Sequence, residues 1–279
     1  MPSYLRPTSQ SEALAALAQG RLTVLAGGTD YYPSRVGKTL ADDILDIGAI
    51  AALRGIREDA DHWRIGATTS WSELIAAGLP PLFDGLKLAA REIGGVQIQN
   101  AGTIAGNVCN ASPAADGVPP LLALDARVEI ADTAGSRSVA LADFILGNRR
   151  TLLRPDQLLT AILVPKLAHS ARSHFAKLGA REYLVVSIAM AAATLEIDAG
   201  RVRTARIAVG ACSPVALRLP LAEAELAGKP CDAKLGEFLR AEHLAGLAPI
   251  DDVRASGAYR LDAALTLLRR VLSRLGAQP

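Results

Sequence analysis

Along the first half of the chain, short apolar runs alternate with segments of helical spacing, a pattern that predicts mixed or parallel sheets covered by helices. Leu22 to Ala26 reads as a buried strand running into Gly27-Gly28. Asp30 to Val36 follows as a short helix, Ile44 to Ile47 as a second strand and Ala49 to Arg54 as a helical turn. The pattern then restarts: Ile56 to Glu58 and Trp63 to Ala67 flank Asp59-Ala60-Asp61, a hairpin turn by composition. Thr69 or Ser70 can cap a helix from Trp71 to Ala77, Pro80-Pro81 stops it, and Leu82 to Ile93 has the spacing of a second, core-facing helix. A short helix at Leu121 to Leu124 precedes strands at Val128 to Ala131, Arg137 to Ala140 and Leu158 to Val164. In the last third, Val185 to Ile197 and Val202 to Gly210 are long apolar-rich strands joined by the turn Asp198-Ala199-Gly200-Arg201. Helices are predicted at Leu221 to Ala227, Ala233 to His243 and Ala258 to Leu275, the last with a single apolar face. The fold class is therefore α/β or α+β, with a domain boundary at Pro165 to Arg172.

Between Gly94 and Pro120 the periodicity disappears, leaving GGVQIQNAGTIAGNVCNASPAADGVPP. Its small and polar residues predict a long irregular segment. Asp116 is its one charged residue, and Ile, Val and Ala are scattered through it, so the composition favours an ordered functional loop over a solvated one.

Composition narrows the function classes. Half of the residues are hydrophobic and 21% charged, which is globular, and a net charge of +2 advertises neither nucleic acid nor an anionic membrane. With 4% aromatic residues a base-stacking platform is disfavoured. The longest nearly apolar run, Leu184 to Leu195, is shorter than the roughly 20 residues that span a bilayer. The first residues lack the basic and apolar regions of a secretory signal, so the expected location is the cytoplasm. Cys109, Cys212 and Cys231 are too scattered for a disulfide framework and are expected to be structural thiols. His62, His169, His174 and His243 show no metal-ligand spacing, and Ser112 lacks the GxSxG context of a hydrolase nucleophile.

Candidate chemistry gathers in two loops. Leu25-Ala26-Gly27-Gly28-Thr29-Asp30 follows a strand, and adjacent glycines let the backbone approach a ligand with successive N–H groups pointing into one concavity. Gly102-Thr103-Ile104-Ala105-Gly106-Asn107 offers small residues, a hydroxyl and an amide, while Asp116 could accept hydrogen bonds from sugar or ribityl hydroxyls. Neither loop is a GxGxxG fingerprint or a P-loop, and alone each is most simply a tight turn. Together they predict one pyrophosphate-bearing cofactor lying between them. Lys177 is most simply a solvated strand lysine, although a lysine beside an anionic reduced flavin would be useful. The arginines of Gly147-Asn148-Arg149-Arg150 and Leu268-Arg269-Arg270 read as solvated faces.

Taken in order, Ala26 to Asp30, Asn100 to Asn107, Asn110 to Asp116 and the terminal Ala255-Ser256-Gly257-Ala258-Tyr259-Arg260 resemble the FAD-binding medium subunit of molybdenum hydroxylases, over essentially the whole chain. The resemblance implies an α+β, vanillyl-alcohol-oxidase-type fold with two FAD-binding subdomains, residues 1–55 and 56–170, and a C-terminal domain of sheet plus helices, residues 171–279. It also implies that the backbone of residues 26–30 and 103–107 holds the pyrophosphate and that Asp116 binds the ribityl or ribose region. By the same likeness Ile93 and Leu159 line the cofactor, Lys177 lies near the flavin ring system, and Tyr183 lies near the isoalloxazine. FAD would be noncovalent, because the first loop has no histidine or cysteine. A molybdenum cofactor and iron–sulfur clusters would sit only on a large and a small partner subunit, and the chain, with no catalytic acid or base of its own, would pass electrons to an external acceptor. Ala105 replaces a glycine common in relatives, and no cysteine-rich insertion is present to hold a further cluster. Rival readings are a self-sufficient flavin oxidase or dehydrogenase and a non-catalytic nucleotide-binding or scaffold module.

Overall fold

The computed structural model describes residues 2–168, 170–182 and 184–278; His169 and Tyr183 lie outside the described residues. Tyr4–Leu5, Ile44–Asp46 and Thr23–Leu25 form a parallel sheet in that spatial order. Parallel strands need crossover connections: the helix Gln10–Gln19 joins the two outer strands, and residues 26–43 join Thr23–Leu25 to its neighbour Ile44–Asp46. Pattern alone does not reveal this helix, but its start carries a capping box: Ser9 Oγ accepts from the Glu12 N–H, and the Glu12 carboxylate accepts from the Ser9 N–H. Its buried Ala13, Leu14 and Leu17 pack with Leu45, Ile47, Ile50 and Leu53, and also with Ala131 and Leu158 of the next sheet.

That second sheet is antiparallel throughout, in the order Ile56–Glu58, His62–Gly66, Leu158–Pro165, Arg127–Asp132, Gly135–Ala140. Two parallel pairings in the first sheet and antiparallel pairings in the second settle the class as α+β. The helices Trp71–Ala76 and Asp84–Glu92 stand where their spacing predicts them, and Ser70 rather than Thr69 is the cap of the first. The segment from Gly94 to Pro120 departs from expectation. It contains the helices Val96–Ala101 and Ile104–Asn110 and the start of Val118–Ala123. The first two are under two or about two turns long and separated by Gly102 and the cap Thr103, too short to show a period. The third is buried on every side, so it has no polar face to alternate with.

Arg172–Leu178, Ala189–Asp198, Arg201–Gly210 and Leu217–Arg218 make a third, antiparallel sheet in chain order. Ala189, Ala191, Ala193 and Leu195 face a cluster built on the helix Gly257–Gly276, whereas Met190 and Ala192 face the core of the second sheet. Both faces of this strand are covered, which is why its sequence is a continuous apolar run. The strand begins at Ala189 and not at Val185, because its ladder with Arg172–Leu178 ends at the pair Leu178–Ala189 and leaves residues 185–188 without a strand partner. The helix expected over Ala233 to His243 is instead two 3-10 turns, Leu235–Phe238 and Ala241–Leu244, parted by the extended, buried Leu239. Among the described residues no helix is long and apolar enough to cross a membrane.

The terminal motif is a structural staple. Ser256 caps the long helix by accepting from the Tyr259 N–H, and buried Arg260 donates to the carbonyls of Ile188 and Ala211 and to Asp252 Oδ1 at 2.7 Å. The Arg254 N–H and the Arg260 guanidinium hold the Asp252 carboxyl down to about 2. A carboxyl depressed in the fold favours folding above its unfolded value of about 4, and that contribution disappears as pH falls towards 2. Asp252→Asn is therefore expected to flatten the fall of melting temperature between about pH 4 and about pH 2. Thermal melts of both proteins across that range check this, and parallel curves would refute it.

Candidate cofactor-binding site

The strand Thr23–Leu25 runs out into a cleft of about 540 Å3 between the parallel sheet and the second sheet with its helices. Thirteen of the residues singled out from sequence line it: Leu25, Ala26, Gly27, Gly28, Thr29, Asp30, Ile93, Gly102, Thr103, Ala105, Gly106, Asn107 and Leu159. The two glycine loops are in contact. A Cβ on Gly27 would lie 1.9 Å from the Ala101 carbonyl oxygen, so only glycine lets the first loop seat against the second. Gly28 follows with φ of 69°, and its carbonyl accepts from the Tyr32 N–H. Among the described residues the N–H groups of Gly27, Gly28, Thr29 and Asp30 find no acceptor, which leaves a row of donors beside the cleft.

The second loop is pinned from behind. Gly102 O accepts from the Trp71 N–H at 3.2 Å, the Ile104 N–H donates to Thr69 O at 3.1 Å, and Thr103 Oγ1 accepts from the Gly106 N–H at 3.0 Å. Ala105 lies within the Ile104–Asn110 helix, a conformation alanine prefers, so the departure from glycine is accommodated. Asn107 Oδ1 is buried and, among the described residues, has no hydrogen-bond partner. Such an orphaned acceptor in the wall of a donor-lined cleft fits a ligand that brings hydroxyl groups as well as phosphate.

Three expected site residues are elsewhere. Ile104 turns its side chain fully into the core, while its backbone stays in the second loop. Asp116 and Lys177 are paired with each other outside the cleft lining: Lys177 Nζ donates to Asp116 Oδ2 at 2.9 Å, and Ser187 Oγ donates to Asp116 Oδ1 at 2.6 Å. The Lys177 side chain is 6% exposed, which corrects its reading as a solvated strand lysine; the buried Asp116 carboxylate and the carbonyls of Glu92 and Val185 replace solvent. Burial pushes the Asp116 carboxyl up, against the pull of Lys177 and Ser187. The pair stands just behind the cleft, because Lys177 Nζ also approaches Glu92 O at 3.5 Å and the next residue, Ile93, is a lining residue.

Arg149, read from sequence as a solvated face, lines the cleft mouth. It bonds Asp30 at 2.8 Å and Asn110 Oδ1 at 2.8 Å, and the guanidinium holds the Asp30 carboxyl below the usual carboxylate range. No local pattern in the sequence marks it as a site residue, since its partner Asp30 is 119 positions away. Cys109 also lines the cleft, where burial pushes its thiol up to about 12. It is therefore a neutral thiol and not a nucleophile at neutral pH.

Two touching glycine loops, a row of free backbone donors and an apolar wall define a protein that holds a diphosphate-bearing cofactor. Residues 1–167 match the family described as "FAD binding domain in molybdopterin dehydrogenase", and residues 174–275 match "CO dehydrogenase flavoprotein C-terminal domain". The chain belongs to the FAD-binding medium-subunit family of molybdenum hydroxylases, and it is an oxidoreductase subunit whose cofactor is FAD. It is 32% identical to the xanthine dehydrogenase FAD-binding subunit of Escherichia coli O157:H7, covering 97% of this chain and 94% of that one. To the carbon monoxide dehydrogenase medium chain of Hydrogenophaga pseudoflava it is 30% identical, covering 97% and 95%. A chain of the reconstituted CO dehydrogenase from Oligotropha carboxidovorans superposes with a TM-score of 0.91 at 29% identity, covering 100% of this chain and 99% of that one.

Proposed function

We propose that the cleft seats FAD with its pyrophosphate between residues 26–30 and 103–107. In this reading the chain relays electrons from iron–sulfur clusters of a small partner subunit, fed by a molybdenum cofactor on a large partner subunit, to an external acceptor. The observation that carries the reading is the Gly27 contact, which seats the first loop on the second within the cleft lining while the N–H groups of residues 27–30 have no acceptor among the described residues. Relatives whose names are "medium chain" and "FAD-binding subunit" support a place in a larger assembly. Bound FAD supplies the electron chemistry. The chain's own residues position it: Leu25, Ile93 and Leu159 exclude water from the cleft wall, and Asn107 offers its amide to a hydroxyl. The protonated thiol of Cys109 gives no covalent anchor, which supports noncovalent binding. Residues 1–55 and 56–170 would be the two FAD-binding subdomains, and residues 171–279 the third.

Purifying the chain with whatever accompanies it, recording the visible spectrum, and measuring released cofactor by mass and metals by elemental analysis tests this. FAD with molybdenum- and iron-bearing partner chains is the expected result. A lone flavin-loaded chain that oxidises a small organic substrate would replace the relay with a self-sufficient oxidase, and a chain that takes up no FAD would overturn both.

A further inference from the structure

Resting on that reading of the cleft, we propose that Arg149 is a positioning residue that latches the diphosphate end of the cofactor in place. Arg149 sits in the turn between the strands Ile145–Gly147 and Arg150–Thr151, and reaches across the cleft mouth to the first glycine loop. Its two terminal nitrogens take both oxygens of Asp30, at 2.8 and 3.3 Å, and one also donates to Asn110 Oδ1 at 2.8 Å. One guanidinium thus ties the loop that starts at Gly27 to the last residue of the Ile104–Asn110 helix.

Two observations set this pair apart from an ordinary surface ion pair. The first is backbone strain. Arg149 has φ of 53° and its N–H donates to the carbonyl of Ala111, which has φ of 48°. Two linked left-handed residues, neither of them glycine, cost free energy and persist only where the surroundings over-determine them. Here they aim one side chain over the mouth. The second is charge. Asp30 is a carboxylate inside a loop whose N–H groups have no acceptor among the described residues and whose place in the cleft lining suits a diphosphate, which an unneutralised carboxylate would repel. Arg149 cancels that charge and turns the carboxylate aside. Both side chains are about half exposed, so the pair contributes little to fold stability by itself, and its effect falls on the ligand.

The test uses the FAD-loaded complex as purified, and measures FAD appearing in the ultrafiltrate over time together with the melting temperature of the flavin-stripped protein. Arg149→Met is expected to speed FAD release by about tenfold, the scale of losing one charge-assisted hydrogen bond. Arg149→Lys, which keeps the charge but not the fork, is expected to fall between. Adding Asp30→Asn to Arg149→Met is expected to recover part of the loss by removing the unpaired carboxylate, with the melting temperature of the stripped protein unchanged throughout. Release at the wild-type rate from Arg149→Met would overturn the latch, as would faster release that follows a lower melting temperature and is not recovered in the double variant. A wild-type protein that holds no FAD would overturn the reading of the cleft instead.

Discussion

Replacing Gly27 by valine is expected to strip the protein of flavin. A Cβ at this position would stand 1.9 Å from the Ala101 carbonyl oxygen and 2.9 Å from Gly102 Cα, and both obstacles are backbone, so neither can rotate away. The first loop must lift off the second, which widens the one place where both sets of donors can reach the same diphosphate. Overpacking of this kind costs about 1–3 kcal/mol where the fold can relax. Because the relaxation here dismantles the cradle, FAD affinity should fall by about 100-fold, near the upper end of that range. Flavin absorbance per mole of purified chain reads the effect, and a far-ultraviolet circular dichroism spectrum shows whether the fold survives. Gly20→Ala is the matched control: its Cβ meets nothing within 4 Å and its backbone is extended, with φ of −173°. Gly27→Val retaining full flavin would mean that the pyrophosphate lies elsewhere.

The glycine loops were legible in sequence because their signal is local. Adjacent glycines after a strand, followed by a second small-residue loop, need no knowledge of what lies between them. Two strands of the first sheet and those of the second were legible for the same reason, since a short run bounded by turn residues specifies itself, whereas the two-residue strand Tyr4–Leu5 is too short to show a pattern. Other features depend on distance. Whether neighbouring strands run parallel or antiparallel follows from Ile44–Asp46 inserting between Tyr4–Leu5 and Thr23–Leu25, and from Leu158–Pro165 inserting between His62–Gly66 and Arg127–Asp132, partners far apart in the chain. The helices hidden between Gly94 and Pro120 are too short or too buried to show a period. Arg149 was invisible as a site residue because its partner Asp30 is 119 positions away. Lys177 looked solvated because alternation along Arg172–Leu178 shows that one face is buried, without showing that the helix Asp84–Glu92 and the loop before Ala189 cover the other.

That burial makes Asp116→Ala the other large effect. Asp116 is the acidic partner of a lysine ammonium that is 6% exposed, and the remaining contacts of Lys177 Nζ are two carbonyls at 3.5 Å, those of Glu92 and Val185. Deleting the carboxylate takes away the ammonium's bonded counter-charge and leaves the Glu92 carboxylate as the nearby anion, so the cost is expected to be about 3 kcal/mol, the lower end for breaking a buried pair. For a chain of this size that corresponds to a fall in melting temperature of about 10 °C. Replacing both partners by apolar residues of similar volume, Asp116→Leu with Lys177→Met, removes the stranded charge and should restore most of the loss. The same double variant separates two roles. If the pair only joins the third sheet to the cleft's back wall, the recovered protein carries a full complement of FAD. If the carboxylate or the ammonium touches the cofactor, melting temperature recovers while flavin content or flavin reduction potential does not. The pair's place behind Ile93, outside the cleft lining, makes full flavin content the expected result, and a stable double variant depleted of flavin would move both residues into the binding site.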